Sequence, residues 1–441
     1  MTDTGSLSLA AYTLGCKVNQ CDTEALLVKL IDAGLNMCSF NQSADIYIIN
    51  TCTVTHTGDK KSLQMIRRAR RLNPAAFVAV CGCMPRGQAD SAGRISMAGA
   101  DFTFDARKPE DLLVKLNVVF PGYISLHGIK SEERQAKEEI NGRTRAFIKI
   151  QDGCNRFCAY CIVPYVRGPV VSRAPAEILA EVALHIRRGV KEIVLTGIQV
   201  AAYGYDTGNG TIALPELIKR LADLGPVRVR LSSIDPWAID DAFLETTNSA
   251  SILCDHFHLS LQSGADKTLA RMNRRYTTTD YATAANKLKN IRPDMALTTD
   301  MIVGFPGESA DDFVKSLRFA GDMGFARIHV FEYSPRVGTP AADMPDQVPS
   351  HIKSARGDEM RALAKTLEQR FLQSQIGKQV QVLFESKVRD SSAPYSPEVW
   401  QGRTTNYCLV KAKGANLANT VRNVQITGTS EDGLIGNLID S

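Results

Sequence analysis

A chain of 441 residues, 44% hydrophobic and 22% charged, is too long for one ordinary domain at roughly 100 to 200 residues each, and its composition excludes a disordered or fibrous polymer. No apolar run approaches the roughly 20 residues a membrane helix needs, and the opening MTDTGSLSLAAYTLG lacks a basic signal-peptide segment, so a cytoplasmic protein with no membrane partner is expected. The net charge of +5 permits an acidic partner without requiring one, and eleven cysteines in a reducing compartment favour metal or cluster ligation over disulfides.

Residues 1–127 alternate strand and helix signals: SLAAYTL, a helix from about Asn19 to Ala33, ADIYIIN, a basic helix from about Lys60 to Leu72, FVAV, DFTF and a last helix near Pro109. That order predicts a parallel α/β sheet. Cys16, Cys52 and Cys83 follow the strands ending at Leu14, Asn50 and near Val80. All three therefore fall in strand-to-helix loops at the carboxyl edge, where open α/β sheets hold their sites. One free cysteine is usually a small buried apolar residue, but three at equivalent topological points predict a site. Cys81 is a rival to Cys83, and His56, close to Cys52, is expected to be no ligand. The basic helix carries Lys60, Lys61, Arg67, Arg68, Arg70 and Arg71 against Asp59, with Leu63 and Ile66 as its buried stripe. Such a face is usually only solvated, yet beside a reactive site it suits phosphate contacts.

Residues 128–143 are charged and aperiodic and are expected to form a linker. Residues 144–375 hold six strand candidates, AFIKI, EIVLT, VRVRLSS, FHLSL, LTTDMIVGF and ARIHVFEY, mostly separated by helical segments. Six βα units predict an open, partial barrel instead of the eight-unit closed form. Directly after the first strand, KIQDGCNRFCAYCIVPY sets Cys154, Cys158 and Cys161 at Cys-x3-Cys-x2-Cys. One tight loop can then offer three thiolates to three irons of a cubane and leave the fourth iron open. A structural zinc site would ask for a fourth Cys or His, and none lies between Asp152 and Arg173. Polar residues at later strand ends, Thr196, Gly197, Gln199, Gln262 and Ser263, together with Asp300 and the GFPGE turn, suit cofactor and substrate binding. Residues 376–441 change to short strand-like runs with glycine turns, VQVLFE, YCLVKA and VRNVQIT, which predict a small all-β barrel. Seven Lys or Arg against six Asp or Glu over residues 377–441 give it no strong electrostatic pull.

The cysteine triplet on its six-strand frame resembles the radical S-adenosylmethionine superfamily. With LGCKVNQ, INTCTVTHTGDKKS, CGCMPRGQ and FEYSPRVGTPA around Arg336, essentially the whole chain resembles the methylthiotransferase branch. The resemblance implies three parts: an N-terminal open parallel α/β domain, a central partial (βα)6 radical-SAM barrel and a C-terminal TRAM barrel. It also implies two 4Fe-4S clusters. Cys154, Cys158 and Cys161 would hold the one that cleaves S-adenosylmethionine, with Tyr160 shielding the adenine. Cys16, Cys52 and Cys83 would hold an auxiliary cluster, the dipeptide Gly82-Cys83 aligning with the family motif and favouring Cys83 over Cys81. No catalytic side chain beyond the cluster ligands is implied. LGCKVNQ and DKKSLQMIRRARR are most similar to the enzymes that methylthiolate C2 of N6-threonylcarbamoyladenosine at position 37 of tRNA. The implied partners are tRNA, an electron donor such as a flavodoxin or ferredoxin, and a sulfur source. A ribosomal protein or isopentenyladenosine tRNA as substrate stays open, as does a non-enzymatic iron-sulfur RNA-binding redox sensor.

Overall fold

A computed structural model of the protein describes residues 6–87, 90–124, 144–206, 212–225, 227–388 and 398–439; the expected linker at 128–143 lies outside the described residues. Strands β1 (Ser8–Thr13), β2 (Asn36–Met37), β3 (Ile46–Thr51), β4 (Phe77–Gly82) and β5 (Phe102–Thr103) form an all-parallel sheet in the order β2-β1-β3-β4-β5. The nearly continuous apolar run IYIINT suits β3, which is buried on both faces. One face packs Tyr47, Ile49, Val78 and Val80 against Leu63 and Ile66 of helix α2 (His56–Leu72). The opposite face packs Leu9, Ile48, Ala79 and Cys81 against Leu26 and Leu30 of helix α1 (Lys17–Asp32) and Leu112 and Leu116 of the helix Pro109–Val119.

The chain folds into two compact units. The first comprises Met1–Glu139, Gly153–Pro169 and Ser334–Asp343, so the Cys154–Cys161 loop and the Arg336 turn pack with the N-terminal sheet; the remainder forms the second.

In the second unit, β6 (Arg145–Lys149) is followed by a short antiparallel pair, β7 (Gln151–Asp152) and β8 (Val171–Ser172). Then come β9 (Glu192–Thr196), β10 (Arg228–Leu231), β11 (His256–His258), β12 (Ala296–Val303) and β13 (Arg327–Glu332). The parallel sheets β10-β9-β6 and β11-β12-β13 are joined by parallel bridges at Val229↔Leu253 and Ile234↔Leu259. Six parallel strands in chain order make the open partial barrel that the six βα units predict. Its core packs Ile178, Leu217, Phe243, Tyr281 and Phe313 of the helices against strand residues such as Leu195, Leu231 and Met301.

After the long helix Ser350–Gln373, strands β14 (Gln379–Lys387), β15 (Val399–Thr404), β16 (Leu409–Lys413), β17 (Val421–Thr429) and β18 (Leu434–Leu438) close into a barrel in the order β14-β15-β16-β18-β17. The sequence reading named the runs in β14, β16 and β17. It missed β15 and β18, whose glycines interrupt the alternation: Gly402 and Gly436 lie hard against neighbouring strands, where a Cβ would not fit. Arg230 fastens this barrel to the larger one. It forms a two-pronged pair with Glu192 at 2.8 and 2.9 Å, donates to the carbonyls of Thr404 and Thr405 and stacks 4.6 Å from the Tyr407 ring centre. No helix among the described residues is long and apolar enough to cross a membrane.

Candidate iron-sulfur centres

Three strand ends stand level at the carboxyl edge of the N-terminal sheet, Thr13 pairing with Asn50, and Asn50 and Thr51 with Cys81 and Gly82. Each strand then delivers a thiol. Cys16 directly precedes α1, Cys52 directly follows β3, and Cys83 lies just past β4. Gly15 permits the first approach. Its φ is +98°, and a Cβ there would stand 3.0 Å from Cys52 Cβ and 3.2 Å from Cys52 Sγ. The thiols sense one another: burial raises Cys52 and the charge of Cys16 adds to it, while burial lifts Cys83 to about 11, opposed by Arg167 and reinforced by Cys16 and Cys52. All three are free cysteines.

Cys81 belongs elsewhere. The sequence reading ended this strand near Val80, but β4 continues to Gly82, and strand alternation turns Cys81 into the core with Leu26, Ile48 and Leu112. Fully buried there, its thiol is pushed even higher than that of Cys83.

Two guanidiniums reach this sheet edge from distant sequence. Arg167 Nη2 donates to Asn19 Oδ1 at 2.5 Å and lies 3.1 Å from Asp22 Oδ2, and the Arg167 side chain also hydrogen-bonds Cys83. Asn19 ties the loops together, its Nδ2 donating to Leu14 O at 2.8 Å and Thr51 O at 3.0 Å. Arg336 is only 2% exposed; its Nη2 donates to Thr53 Oγ1 at 2.5 Å and pairs with Asp59 Oδ2 at 2.9 Å, and Thr53 in turn donates to Asp59 Oδ1 at 2.8 Å. Arg336 Nε and Nη1 meet no acceptor among the described residues, a condition that costs about 1–3 kcal/mol for each buried donor left unpaired. The sequence reading quoted Arg336 only within a motif and missed Asn19 and Arg167. Asn19, three residues after Cys16 in LGCKVNQ, carried the only local signal.

In the second cysteine loop, Gly153 takes φ +70° where any Cβ would collide with the Pro169 carbonyl, and Cys154 N–H donates to Gly168 O at 3.0 Å. Phe157 is left-handed at φ 49°, the Arg156 N–H reaches Cys154 Sγ at 3.4 Å, and Cys161 N–H closes a turn on Cys158 O at 2.9 Å. Tyr160 is half-buried between Cys158 and Cys161. Ile162 and Val166 pack on Cys83, so the two sets of thiols are neighbours within the first unit. In each set the donors fit a 4Fe-4S cluster with one iron free of protein, namely three thiols outside any disulfide, and beside Cys83 a buried guanidinium donor as well. Phe157 and Tyr165, 48% and 50% exposed, form a T-shaped pair at 5.7 Å that sequence reasoning did not single out.

Among the barrel residues, Thr196 donates its hydroxyl to Val194 O within its own strand. Gly197 lies so close to Gln151 that a Cβ would stand 2.9 Å from Gln151 Oε1, the atom that also accepts the Gln199 N–H at 2.9 Å. Gln199 Nε2 donates to Asp235 Oδ2 at 2.6 Å, and Asp235 pairs with Arg274 at 2.7 Å. Gln262 adopts φ 74° and exchanges backbone hydrogen bonds with β12. The Ser263 hydroxyl sits 3.2 Å from that of Ser316 on the outer helix Ala310–Met323 and so links the helix to the strand end. A polar group that the sequence reading did not assemble brings ligand-type atoms of His258, Asp300 and His329 within 4.8 Å of one another, with His258 Nε2 3.2 Å from Asp300 Oδ2. Burial lowers His329 and so favours its neutral ring.

On α2, Lys60, Lys61, Arg67, Arg68 and Arg71 are exposed, opposite Leu63, Met65, Ile66 and Ala69. Arg68 reaches Asn41 at 2.8 Å. Arg70, half-buried, is held differently: it donates to the carbonyls of Gly99, Pro74 and Ala76 and pairs with Asp101 at 2.6 Å, which pins the helix end to the sheet.

Residues 148–320 match the family described as the radical SAM superfamily, and residues 8–101 match one described as uncharacterized protein family UPF0004. The threonylcarbamoyladenosine tRNA methylthiotransferase MtaB of Bacillus subtilis (strain 168) is 38% identical over 92% of this chain and 90% of its own length. Its namesake from Thermotoga maritima is 34% identical over 96% and 95%. A tRNA-2-methylthio-N(6)-dimethylallyladenosine synthase of Oceanobacillus iheyensis is 32% identical over 97% and 83%. Among solved structures, the radical S-adenosylmethionine methyltransferase TsrM of Kitasatospora setae shares the fold with a TM-score of 0.55 at 14% identity, covering 76% of this chain and 77% of that one.

Proposed function

The chain belongs to the radical S-adenosylmethionine tRNA methylthiotransferase family, and from that premise we propose that it inserts a methylthio group at C2 of N6-threonylcarbamoyladenosine at position 37 of tRNA. Enzymes of this family use S-adenosylmethionine and two 4Fe-4S clusters, which when bound supply a 5'-deoxyadenosyl radical, a sulfur atom and a methyl group. An aromatic C–H offers no acidic proton to a general base, so the reaction calls for a radical.

The observation that carries the reading is the level presentation of Cys16, Cys52 and Cys83 on one sheet edge, beside the loop of Cys154, Cys158 and Cys161. We assign the first set to the auxiliary cluster and the second to the cluster that binds S-adenosylmethionine. Asn19 and Arg167 hold the loops of the first set in register, and Arg167 offsets the charge of the Cys83 thiolate. We further assign Tyr160 of the second loop to the cofactor's adenine, and Gln199 and Gln262 to barrel-end contacts for cofactor or substrate. Lys60, Lys61, Arg67, Arg68 and Arg71 are positioned on one helix for tRNA phosphates. The working parts are residues 1–127 for the auxiliary centre, 144–375 for radical generation and 376–441 as an RNA-binding TRAM barrel. A small iron-sulfur or flavin protein supplies electrons, and a separate donor supplies sulfur.

The choice of threonylcarbamoyladenosine over dimethylallyladenosine follows the relatives, the former named at 34–38% identity and the latter at 31–33%. Mass spectrometry of tRNA nucleosides from cells with and without the gene tests it. Loss of 2-methylthio-N6-threonylcarbamoyladenosine is the expected result. Loss of the methylthio-dimethylallyl nucleoside alone transfers the reading to that substrate, and unchanged levels of both refute a tRNA role.

A further inference from the structure

Arg336 is anchored on one side only. Thr53, Asp59 and Arg336 close a buried ring in which Nη2 serves both Thr53 Oγ1 and Asp59 Oδ2. Nε and Nη1 have no acceptor among the described residues, although the side chain is 2% exposed. Native chains seldom leave such donors empty. Arg228 and Arg403 each leave one buried nitrogen without an acceptor, but Arg336 leaves two adjacent ones, an edge that suits a group that is not polypeptide. Its surroundings say which group. Thr53 directly follows Cys52, Asp59 lies in the first turn of α2, and the charge of Arg336 acts on the Cys52 thiol. A macromolecular phosphate cannot reach so enclosed a group, and Asp59 already neutralises the cation. What completes the edge is therefore an acceptor that needs donors more than charge, which describes the sulfur atoms of an iron-sulfur cluster.

We infer that Arg336, held by Asp59 and Thr53, donates N–H hydrogen bonds from Nε and Nη1 to sulfur atoms of the auxiliary cluster and thereby raises its reduction potential. The inference rests on the reading that Cys16, Cys52 and Cys83 hold that cluster. Hydrogen bonds to cluster sulfur stabilise the more negative, reduced state. Arg336 is thus a positioning residue acting through the cluster. Arg167, bonded to Cys83, reaches the same thiols from another segment of chain.

The test is a redox titration of the reconstituted full-length enzyme followed by electron paramagnetic resonance. The auxiliary signal is assigned with a variant carrying Cys154→Ala, Cys158→Ala and Cys161→Ala. Arg336→Gln is expected to keep its iron and to make auxiliary-cluster reduction at least tenfold less favourable, a fall of about 59 mV for a one-electron couple. Arg336→Lys, which restores a donor, recovers part of that fall. An unchanged potential in Arg336→Gln overturns the inference. If that variant loses its auxiliary iron, the decision passes to protein labelled with 15N-arginine: hyperfine coupling to the reduced auxiliary cluster that survives Arg167→Lys supports Arg336 as the donor, and coupling that vanishes overturns it. Failure of the underlying reading looks different, since the enzyme would then hold about four irons and none after the triple replacement.

Discussion

Cys83→Ala and Cys81→Ala differ by two residues and should have opposite consequences. Cys83 lies at the strand end where it and the Cys16 and Cys52 thiols act on one another, whereas Cys81 points into an apolar layer between the sheet and α1. Losing one of three ligands removes a cluster, so Cys83→Ala should lower iron from about eight to about four per chain after anaerobic reconstitution. Cys81→Ala should keep all of it and cost only the packing of one buried sulfur, on the scale of about 1 kcal/mol. For a unit of this size that corresponds to a fall of roughly 2–4 °C in melting temperature. Colorimetric iron and sulfide analysis, Mössbauer spectra and thermal melts of the two proteins decide the matter. Four irons in Cys81→Ala and eight in Cys83→Ala would refute both the register argument and the ligand assignment.

The charged residues supply further expectations. Glu192→Gln leaves the Arg230 charge buried without its partner and should destabilise the second unit by about 3–5 kcal/mol, read from urea unfolding. Burial alone would raise the Glu192 carboxyl, but Arg230 and Arg145 hold it below the ordinary value. Its stabilisation is therefore complete above the unfolded value of about 4.3 and is lost as pH falls through the folded one, so the gap between wild type and Glu192→Gln should narrow in acid. Replacing Lys61, Arg67 and Arg71 with Glu should weaken tRNA binding and reduce the steepness of log Kd against log salt by about 0.7–0.9 per lost phosphate contact, measured by filter binding. Arg70→Gln, by contrast, should lower the melting temperature while leaving that slope unchanged, because Arg70 clamps Asp101 and the carbonyl of Gly99. Gly15→Ala should lower auxiliary iron while sparing the other cluster, since a Cβ at φ +98° presses on Cys52 Sγ; an unchanged iron content would show that the close approach is dispensable.

What the sequence revealed and what it hid follow from how local each interaction is. The parallel sheet, the six βα units and the convergence of Cys16, Cys52 and Cys83 depend on strand-helix alternation, and alternation is written in neighbouring residues. The end of β4 was less legible because the strand runs on through Cys81 into Gly82, and that two-residue extension is what separates a core thiol from an edge thiol. The Ser263 contact was hidden for a related reason: its bond to Ser316 depends on where an outer helix lands. Arg70 looked like its neighbours on α2 until the fold supplied Asp101 as its partner. His258, Asp300 and His329 come from three strands, and only the pairing of β11, β12 and β13 places them on one face.

The cations at the thiols are the extreme case. Arg167 meets Asn19 across 148 residues of sequence and Arg336 meets Thr53 across 283, so no window on the chain could pair them. Both are neutralised by carboxylates, Asp22 and Asp59. A buried cation without a counter-ion would be costly, and with one it ceases to be a source of net charge and becomes a rigid array of N–H donors. Sulfur in a partly buried cluster is served by such an array, since directed donors can tune its electronics while the pocket's charge stays near balance. The cysteines thus declare the chemistry in the sequence, while the groups that adjust it are assembled only by the fold.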